Sequence, residues 1–499
     1  MPPALEFVDF HLALRTPGRE RMLFEGASLQ VPAGRLYLLA GESGSGKSTL
    51  LRLCTGLIEP DEPAPRTRGA LYVLGEDVTH GVPAALRGRV TAVLQEEGLL
   101  DELSPRENVV LALRAAGRSR RLALGLLSQA GLEHPPEQVS ALSGGMRKRV
   151  AIARALAAEP ELIIFDEPTA GLDPRSARQI AELLLQMQRD AQDRRTTIVI
   201  THDLDAFAGL CDGVLQIEGE KLQLLPAAAA AAPLSDRRGG ERFVDGGDDE
   251  AIHGLKKLLL GTAAWTQTCC EAVLRLPPVF PGLALREAVR FSIGPLPFVL
   301  LAAAAIGGLA TFFALRNTPL EGALTAQVLT GVGKVATSVL VPLLAAVFFA
   351  ARMGAGAAAR IGTMRRTNQT HALTLLGVRP ADYLLTPLVW AMALAMPVVV
   401  LASVVVAALC SLVAAHAVAG TTAIGWAEAF FRTVERADLR FVVGKSILSG
   451  AVVAVLTYHL AMIPKRSGRD VGDAVNSAIV SGLCAVLLVH AVLTLVQFA

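Results

Sequence analysis

This sequence of 499 residues has few cysteines, few aromatic residues and a small net charge. The six cysteines have neither metal-site spacing nor the density of a disulfide scaffold, which argues against a zinc module and a small disulfide-rich secreted domain. A net charge of +2 gives no basis for nucleic-acid binding, so we expect no nucleic-acid partner. The N-terminus lacks a charged segment followed by an apolar one, and we therefore expect no secretory signal and a cytoplasmic first half.

Charged residues are also few, at 18%, and their distribution divides the chain. Nearly all acidic clusters lie before residue 250, whereas nearly all long apolar runs lie after residue 295. The length favours two or three domains. We therefore predict a soluble domain over residues 1–225 and a flexible linker, rich in Ala, Gly, Asp and Arg, over 226–250. An amphipathic segment along the membrane surface follows over 251–294, and an all-α transmembrane domain over 295–499.

The first domain alternates short apolar runs with helical patterns, which is typical of an α/β domain with strands buried on both faces. Clear strands cover residues 35–40, 162–165 and 197–200, and a motif follows each one. The first motif fits the G-x-x-x-x-G-K-[ST] phosphate loop of an α/β P-loop NTPase, between a strand and a helix. Its residues are Gly41, Glu42, Ser43, Gly44, Ser45, Gly46, Lys47, Ser48 and Thr49.

In that loop, backbone N–H groups turn towards the β- and γ-phosphates of ATP, Lys47 adds a positive charge, and Ser48 is placed to coordinate Mg²⁺. The second strand ends in Asp166 and Glu167. We predict that Asp166 holds Mg²⁺ through water and that Glu167 polarises the attacking water as general base. An isolated acidic pair after a strand would more often be a solvated edge or a helix cap.

Together with these motifs, the first domain resembles the ATP-binding cassette (ABC) family. The resemblance rests on a signature-like sequence, Leu142, Ser143, Gly144, Gly145 and Met146, with Met where Gln is usual. It implies that the signature contacts the nucleotide of a second copy, which makes a homodimer the working unit. It also implies a Mg²⁺-sensing Q-loop glutamine at Gln95, a D-loop aspartate at Asp173 and a catalytic switch histidine at His202. The aromatic residue that stacks on adenine in this family has only Phe10 as a counterpart, with Leu12 and Leu14 nearby.

Five apolar stretches follow, and most approach the roughly 20 residues that cross a bilayer core. They cover about residues 296–315, 335–351, 384–412, 441–463 and 475–498. The segment between the second and third stretches carries five arginines against one aspartate, so the positive-inside rule places it on the cytoplasmic side. Buried helices of a large soluble protein are the alternative.

The second half resembles the permeases of MCE-associated, Mla-type phospholipid transporters. The resemblance rests on residues 351–364, 372–387 and 472–480. It implies phospholipid transport at the bacterial inner membrane, with the ATPase domain cytoplasmic and an MCE-type periplasmic partner. Two alternatives stay open: an exporter of another hydrophobic solute, and a regulatory membrane ATPase that moves nothing.

The same resemblance implies that a short surface helix couples the permease to the ATPase. We expect one helix from Met364 to Leu376, stopped near Gly377. The predicted coupling residues are Gly362, Thr363, Met364, Asn368, His371 and Gly377. An ordinary basic cytoplasmic loop is the alternative. Tyr458, His459 and His490 lie within apolar spans and are functional candidates, although such histidines more often bridge helices.

Overall fold

The computed structural model describes residues 2–16, 19–58, 65–191, 194–227, 243–245, 250–275, 278–317, 322–465 and 467–498. The chain divides into two compact units. The first unit combines Met1–Leu255 with Thr367–Arg379, and we call the latter stretch the docking segment. The second unit comprises Lys256–Arg366 and Pro380–Ala499. The bounds of the four predicted segments stay predictions, but the docking segment belongs structurally with the first half of the chain.

The described residues of the first unit form two sheets. The strands are β1 (Leu5–Thr16), β2 (Arg19–Val31), β3 (Leu36–Gly41), β4 (Arg66–Val73), β5 (Glu76–Asp77), β6 (Val90–Val93), β7 (Leu162–Asp166), β8 (Thr196–Ile200), β9 (Gly213–Glu218), β10 (Lys221–Pro226) and β11 (Phe243–Asp245). An antiparallel sheet has the order β11-β2-β1-β4-β5, and the other sheet has the order β10-β9-β3-β8-β7-β6. In the second sheet β3, β6, β7, β8 and β9 run parallel, so the carboxyl ends of β3, β7 and β8 meet at one edge.

Between residues 47 and 190, five described α-helices pack around the second sheet or beside it. They are α1 (Lys47–Thr55), α2 (Pro105–Ala115), α3 (Ala123–Gln129), α4 (Gly144–Leu156) and α5 (Pro174–Asp190). Side chains from β3, β7 and β8 alternate between two apolar clusters, as expected for strands covered on both faces. Ser104 and Glu107 form a reciprocal capping box that fixes the start of α2. The predicted α/β P-loop fold is confirmed.

The second unit is helical. Its helices are α6 (Glu250–Leu274), which begins in the first unit, α7 (Pro281–Ile293), α8 (Leu296–Arg316), α9 (Gly322–Val335), α10 (Val341–Phe349), α11 (Ala355–Arg366), α13 (Thr386–Ala419), α14 (Ala423–Phe430), α15 (Arg436–Met462) and α16 (Gly468–Phe498); α12 (Gln369–Leu375) lies in the docking segment. π-helical turns join α9 to α10 and α10 to α11. Five stretches are long and apolar enough to span a membrane: Leu296–Arg316, Leu324–Arg366, Ala381–Ala419, Arg436–Met462 and Gly468–Phe498. The five predicted spans are confirmed, with longer helices than expected.

One local prediction is wrong, and two stay predictions. The predicted amphipathic segment 251–294 contains α6 and α7, and α7 includes the amphipathic residues 285–291. Within the predicted linker, β11 pairs with β2, while residues 228–242 and 246–249 lie outside the described residues. The predicted helix from Met364 to Leu376 is broken, because Asn368 adopts a left-handed backbone conformation (φ 56°) between α11 and α12.

Candidate functional site

The phosphate-loop residues form the turn between β3 and α1. Gly46 precedes α1 with a φ of 100°, a conformation that side chains with a Cβ atom rarely adopt. At Gly41, a Cβ atom would lie 2.8 Å from Ser45 Oγ and 3.0 Å from Ile217 Cβ. Both positions therefore require glycine, which explains the spacing of the motif in physical terms.

Lys47 lies inside this loop, with only 7% of the residue exposed. Its Nζ atom donates hydrogen bonds to the carbonyl oxygens of Gly41 (2.7 Å) and Glu42 (2.8 Å). Burial lowers the pKa of Lys47, and the nearby carboxylates of Glu167 and Asp166 partly offset that change. The loop thus presents a cation at the position where the motif predicts phosphate oxygens.

Asp166, Glu167 and His202 come together at the same sheet edge. Asp166 is the last residue of β7 and pairs with Ile200 of β8. The Glu167 backbone N–H donates to the Ile200 carbonyl (2.9 Å), and His202 Nε2 lies 3.5 Å from Glu167 Oε1. Glu167 has a φ of 49°, which places it in the left-handed region that non-glycine residues seldom occupy. Such strained positions are enriched at functional sites.

In the part of the chain that the structure describes, the buried atoms without a hydrogen-bond partner include two at this site. They are Ser45 Oγ, inside the phosphate loop, and Glu167 Oε1. Leaving a buried polar atom unpaired costs free energy, so a partner supplied by a ligand fits both positions. A phosphate oxygen suits the hydroxyl, and an attacking water suits the carboxylate. The donor arrangement is thus compatible with a bound nucleoside triphosphate.

The predicted Mg²⁺ ligands occupy separate elements around the loop. Ser48 is the second residue of α1, Asp166 ends β7, and Gln95 follows β6. Burial and then repulsion from Glu167 raise the pKa of Asp166, which a divalent cation would counteract. Among the described residues, no group of three or more His, Cys, Asp or Glu side chains could hold a metal.

The signature-like residues lie at the N-terminus of α4. Ser143 is the N-cap, and its Oγ accepts a hydrogen bond from the Met146 backbone N–H (3.3 Å). A Cβ atom at either Gly144 or Gly145 would lie 3.9 Å from Leu172 Cδ2, so this N-terminus lies beside the predicted D-loop. The N-terminal N–H groups of a helix are suited to bind an anion.

Asp173 lies immediately after Leu172 and caps α5. Its carboxylate accepts hydrogen bonds from the backbone N–H groups of Arg175 (3.1 Å) and Ser176 (3.0 Å). The hydrogen bonds at Ser176, and then that from Arg175, lower the pKa of Asp173. The aspartate predicted for the D-loop is therefore also the N-cap that stabilises the start of α5.

The aromatic counterpart for adenine stacking does not reach the surface. Phe10 and Leu12 are both fully buried, and Phe10 packs edge-on against Phe7 (ring centroids 5.8 Å apart). These two residues are therefore wrong as base-stacking candidates. The guanidinium of Arg21, on β2, instead lies 3.5 Å from the Cβ position of Gly44. Arg21 belongs to no phosphate-loop motif, because it lies on β2, which pairs with β1 and precedes the loop in the sequence.

The predicted coupling residues fall into two groups. Gly362, Thr363 and Met364 belong to α11, and a Cβ atom at Gly362 would lie 3.2 Å from Val471 of α16. Asn368, His371 and Gly377 belong to the docking segment, where His371 Nδ1 lies 3.1 Å from Asn368 Oδ1. The predicted stop at Gly377 is confirmed by its left-handed φ of 75°.

The docking segment packs on the first unit through apolar and polar contacts. Leu375 is buried in one apolar cluster of that unit, and Leu376 packs against the other. Gln369 Nε2 donates to Asp101 Oδ2 (2.9 Å). A Cβ atom at Gly98 would lie 2.8 Å from Ala372 Cβ and 2.9 Å from the Asn368 carbonyl oxygen. Only glycine at position 98 therefore permits this close approach.

The second unit buries a set of polar side chains that the sequence analysis did not predict. Lys445 of α15 is fully buried and donates to the Ser338 carbonyl (3.3 Å), Thr494 Oγ1 (3.1 Å) and Gln497 Oε1 (2.7 Å). Gln497 Nε2 donates to Asp438 Oδ1 (2.7 Å), and Asp438 Oδ2 lies 2.6 Å from Lys334 Nζ. The signal was present in the sequence, because a lysine inside an apolar span is costly unless it is paired.

The three polar candidates within spans have different surroundings. His459 Nδ1 lies 3.2 Å from Thr268 Oγ1 of α6, and its ring lies 5.1 Å from that of Trp265. His459 therefore contacts a neighbouring helix, as the alternative interpretation expects. Tyr458 is 6% exposed, and His490 Nε2 is buried with no hydrogen-bond partner among the described residues.

Family models match each half of the chain. The model described as "ABC transporter" matches residues 24–170, and the model described as "Permease MlaE" matches residues 284–496. The chain joins an ABC transporter ATPase domain to an MlaE permease domain. The phosphate loop, Glu167 and the signature lie within the ABC match, whereas Asp173 and His202 lie beyond its end. Lys445 and Asp438 lie within the MlaE match.

The ABC half also has curated relatives. Methionine import ATP-binding protein MetN 2 of Pseudomonas aeruginosa (strain UCBPP-PA14) is 37% identical over 224 residues, which cover 43% of this chain and 64% of that protein. Methionine import ATP-binding protein MetN 1 of Pseudomonas putida (strain KT2440) is 35% identical over 227 residues, covering 44% and 65%. The chain thus spans slightly less than two thirds of the length of these relatives. Among solved structures, the ATP-binding cassette MJ0796 bound to ADP and Pi is similar, with 26% identity, a TM-score of 0.39, and coverage of 45% of this chain and 98% of that one.

Proposed function

We propose that this chain is half of an ATP-driven transporter that moves phospholipid at the bacterial inner membrane, with its ATPase domain in the cytoplasm. The observation that carries the proposal is the fusion of an ABC ATPase domain with an MlaE permease domain. The ATPase domain carries the phosphate loop, the signature-like sequence and Glu167. The methionine-import relatives are named as ATP-binding proteins, the kind of component that the first half represents. Their substrate is therefore a weaker guide than the permease family.

Two copies of the chain form the proposed working unit. One chain supplies one phosphate loop and one signature, whereas the proposed reaction places the signature of one copy against the nucleotide of the other. Ser143 and the free N–H groups of α4 would contact the γ-phosphate there. An MCE-type periplasmic protein is the proposed partner, and its co-purification with the full chain distinguishes the lipid system from a stand-alone exporter.

Hydrolysis is proposed to follow the geometry at the sheet edge. Glu167 Oε1 polarises the attacking water, His202 contacts the γ-phosphate, and Lys47 stabilises the charge that develops on the phosphate oxygens. Bound Mg²⁺, held by Ser48, Gln95 and Asp166 through direct or water-mediated contacts, would neutralise phosphate charge. ATP binding closes the two ATPase domains, and hydrolysis reopens them.

The test is reconstitution of the full chain into liposomes containing fluorescently labelled phospholipid. We expect ATP-dependent movement of the label in the wild type and none in Glu167→Gln, whose ATP turnover should fall by about 10²- to 10³-fold. ATP-dependent movement of an unrelated apolar dye but not of lipid would favour the exporter of another solute. ATP turnover without movement of either would favour the regulatory ATPase.

A further inference from the structure

We propose that Lys148, Glu97, Arg147 and Asp101 form a charge relay that links the catalytic Glu167 to Gln369 of the docking segment. In this relay Lys148 is a positioning residue for Glu167. The inference rests on the proposed function, because it assigns a route by which ATP hydrolysis is coupled to the permease. All of these residues belong to the first unit.

Lys148 lies at the catalytic end of the relay. It is only 5% exposed, on α4, five residues after Ser143. Its Nζ atom donates to the backbone carbonyls of Gln95 (3.1 Å) and Glu167 (3.4 Å). One buried cation therefore connects the signature helix, the Q-loop and the residue proposed as general base. A shift of α4 would therefore move Lys148 Nζ and change its hydrogen bond to the Glu167 carbonyl.

Glu97 carries the relay away from the catalytic site. Its Oε1 atom lies 3.5 Å from Lys148 Nζ, and its Oε2 atom lies 3.4 Å from Arg147 Nε. The Glu97 side chain is only 13% exposed, so these charge interactions are weakly screened by solvent. Arg154, also on α4, donates to the carbonyls of Gly98 (2.7 Å) and Glu97 (2.6 Å) and holds this backbone in place.

Arg147 and Asp101 complete the connection. Arg147 Nη1 lies 3.9 Å from Asp101 Oδ1, and Asp101 Oδ2 accepts the hydrogen bond from Gln369 Nε2 (2.9 Å). Gln369 is itself only 3% exposed. Consecutive cations, Arg147 and Lys148, thus share one carboxylate and face opposite ends of the route. Because Arg147 and Lys148 both lie on α4, a rotation of this helix would displace the Asp101 contact and the Glu167 contact at the same time.

Proximity alone does not demonstrate coupling, and a double-mutant cycle measures it. We would measure the ATP turnover rate of the full chain in lipid nanodiscs for Lys148→Met, Gln369→Ala and the double variant. Each single change is expected to lower the turnover rate about fivefold, and the double variant is expected to be no slower than the slower single one. Lys148→Arg should restore most of the turnover, because it keeps the cation.

Arg149 provides the matched control. It lies next to Lys148 on α4 but donates to the Ala130 carbonyl (3.0 Å), outside the relay. The effects of Arg149→Ala and Gln369→Ala should therefore multiply. If the effects of Lys148→Met and Gln369→Ala also multiply to within a factor of two, the relay is refuted. Should Lys148→Met fail to fold, the cycle of Glu97→Gln with Gln369→Ala decides by the same criterion, since Gln keeps the side-chain shape.

The cycle is measured on ATP hydrolysis alone, which separates it from the transport proposal. A wild-type chain that hydrolyses ATP without moving phospholipid, yet shows coupled Lys148 and Gln369, would overturn the proposed substrate and leave the relay standing. A chain that moves phospholipid, but in which the effects of Lys148→Met and Gln369→Ala multiply, would support the proposed substrate and overturn the relay.

Discussion

Lys47 in the ATPase half and Lys445 in the permease half are both buried, with 7% and 0% of the residue exposed, but they are held in different ways. The acceptors of Lys47 are carbonyls five and six residues away along the same loop. The acceptors of Lys445 lie 49 to 107 residues away, in α16 and in the π-helical turn after α9. The first lysine is held by its own motif, and the second is held by the packing of helices.

This difference separates two kinds of function. A cation that is held by a local loop keeps its geometry while the surrounding elements move, which suits a phosphate that binds and leaves. A cation that is shared among helices changes its surroundings whenever those helices shift, which suits a part that changes conformation. Substituting each lysine by Met, which keeps much of the side-chain volume, tests this comparison directly.

Lys47→Met should have the largest effect. It removes the charge that would face the phosphate oxygens, and we expect ATP turnover to fall by about 10²- to 10³-fold. Thermal unfolding of the nucleotide-free protein should change much less than turnover does, because the substitution removes the Lys47 hydrogen bonds but also the cost of burying its charge, which lowers the pKa of Lys47. A large loss of stability with normal turnover would contradict the comparison.

Lys445→Met should show the opposite balance. It leaves the Ser338 carbonyl, Thr494 and Gln497 without their donor and leaves Asp438 with one less nearby cation, so the free energy of unfolding should fall by about 2 kcal/mol. We expect a lower Tm in detergent and lower lipid movement. Arg440→Met on the same helix is the control, because Arg440 is exposed. Equal Tm values for the two variants would remove the structural role of Lys445.

The same contrast explains what could be predicted from sequence. The phosphate loop, Glu167 and the signature could be predicted because each motif is defined by neighbours a few residues away; their roles stay predictions. The five spans were found because length and hydropathy decide them. The break at Asn368 was missed, since a left-handed asparagine has no periodic signal, and so was the Asp101–Gln369 contact, which joins residues 268 positions apart. Phe10 was misjudged because the residue type alone does not show which face of β1 the side chain occupies.

Gly98→Ala should give a smaller effect, confined to coupling. The added Cβ would lie 2.8 Å from Ala372 Cβ, so the docking segment must shift. The amount of phospholipid moved per ATP should then fall about tenfold, because a displacement of about 1 Å can have at least that effect on a reaction rate. Gly117→Ala is the matched control, because Gly117 also has a positive φ (69°) but has no atom within 4 Å of its Cβ position. Equal losses in the two variants would attribute the effect to backbone strain rather than to the contact.

Asp166→Asn should have the smallest effect on stability, and its sign is informative. Burial and then Glu167 raise the pKa of Asp166 above its ordinary 3.8 despite Lys47, Arg52 and Lys148. A raised pKa means that this carboxyl stabilises the fold below its unfolded pKa and that the contribution is lost as the pH rises through the folded pKa. At pH 7.5 the ionised carboxylate therefore costs stability, and Asn should raise the Tm of the nucleotide-free, Mg²⁺-free protein.

That gain should shrink as the pH approaches 4, where Asp166 is increasingly protonated in both states. Asp173→Asn should have the opposite sign at pH 7.5, because hydrogen bonds from Ser176 and Arg175 lower the pKa of Asp173 and favour its ionised form. Adding Mg²⁺ and ATP should then reverse the order for position 166, since the wild-type carboxylate gains a cation and the amide does not. A Tm gain that persists with Mg²⁺ and ATP would place the metal away from Asp166.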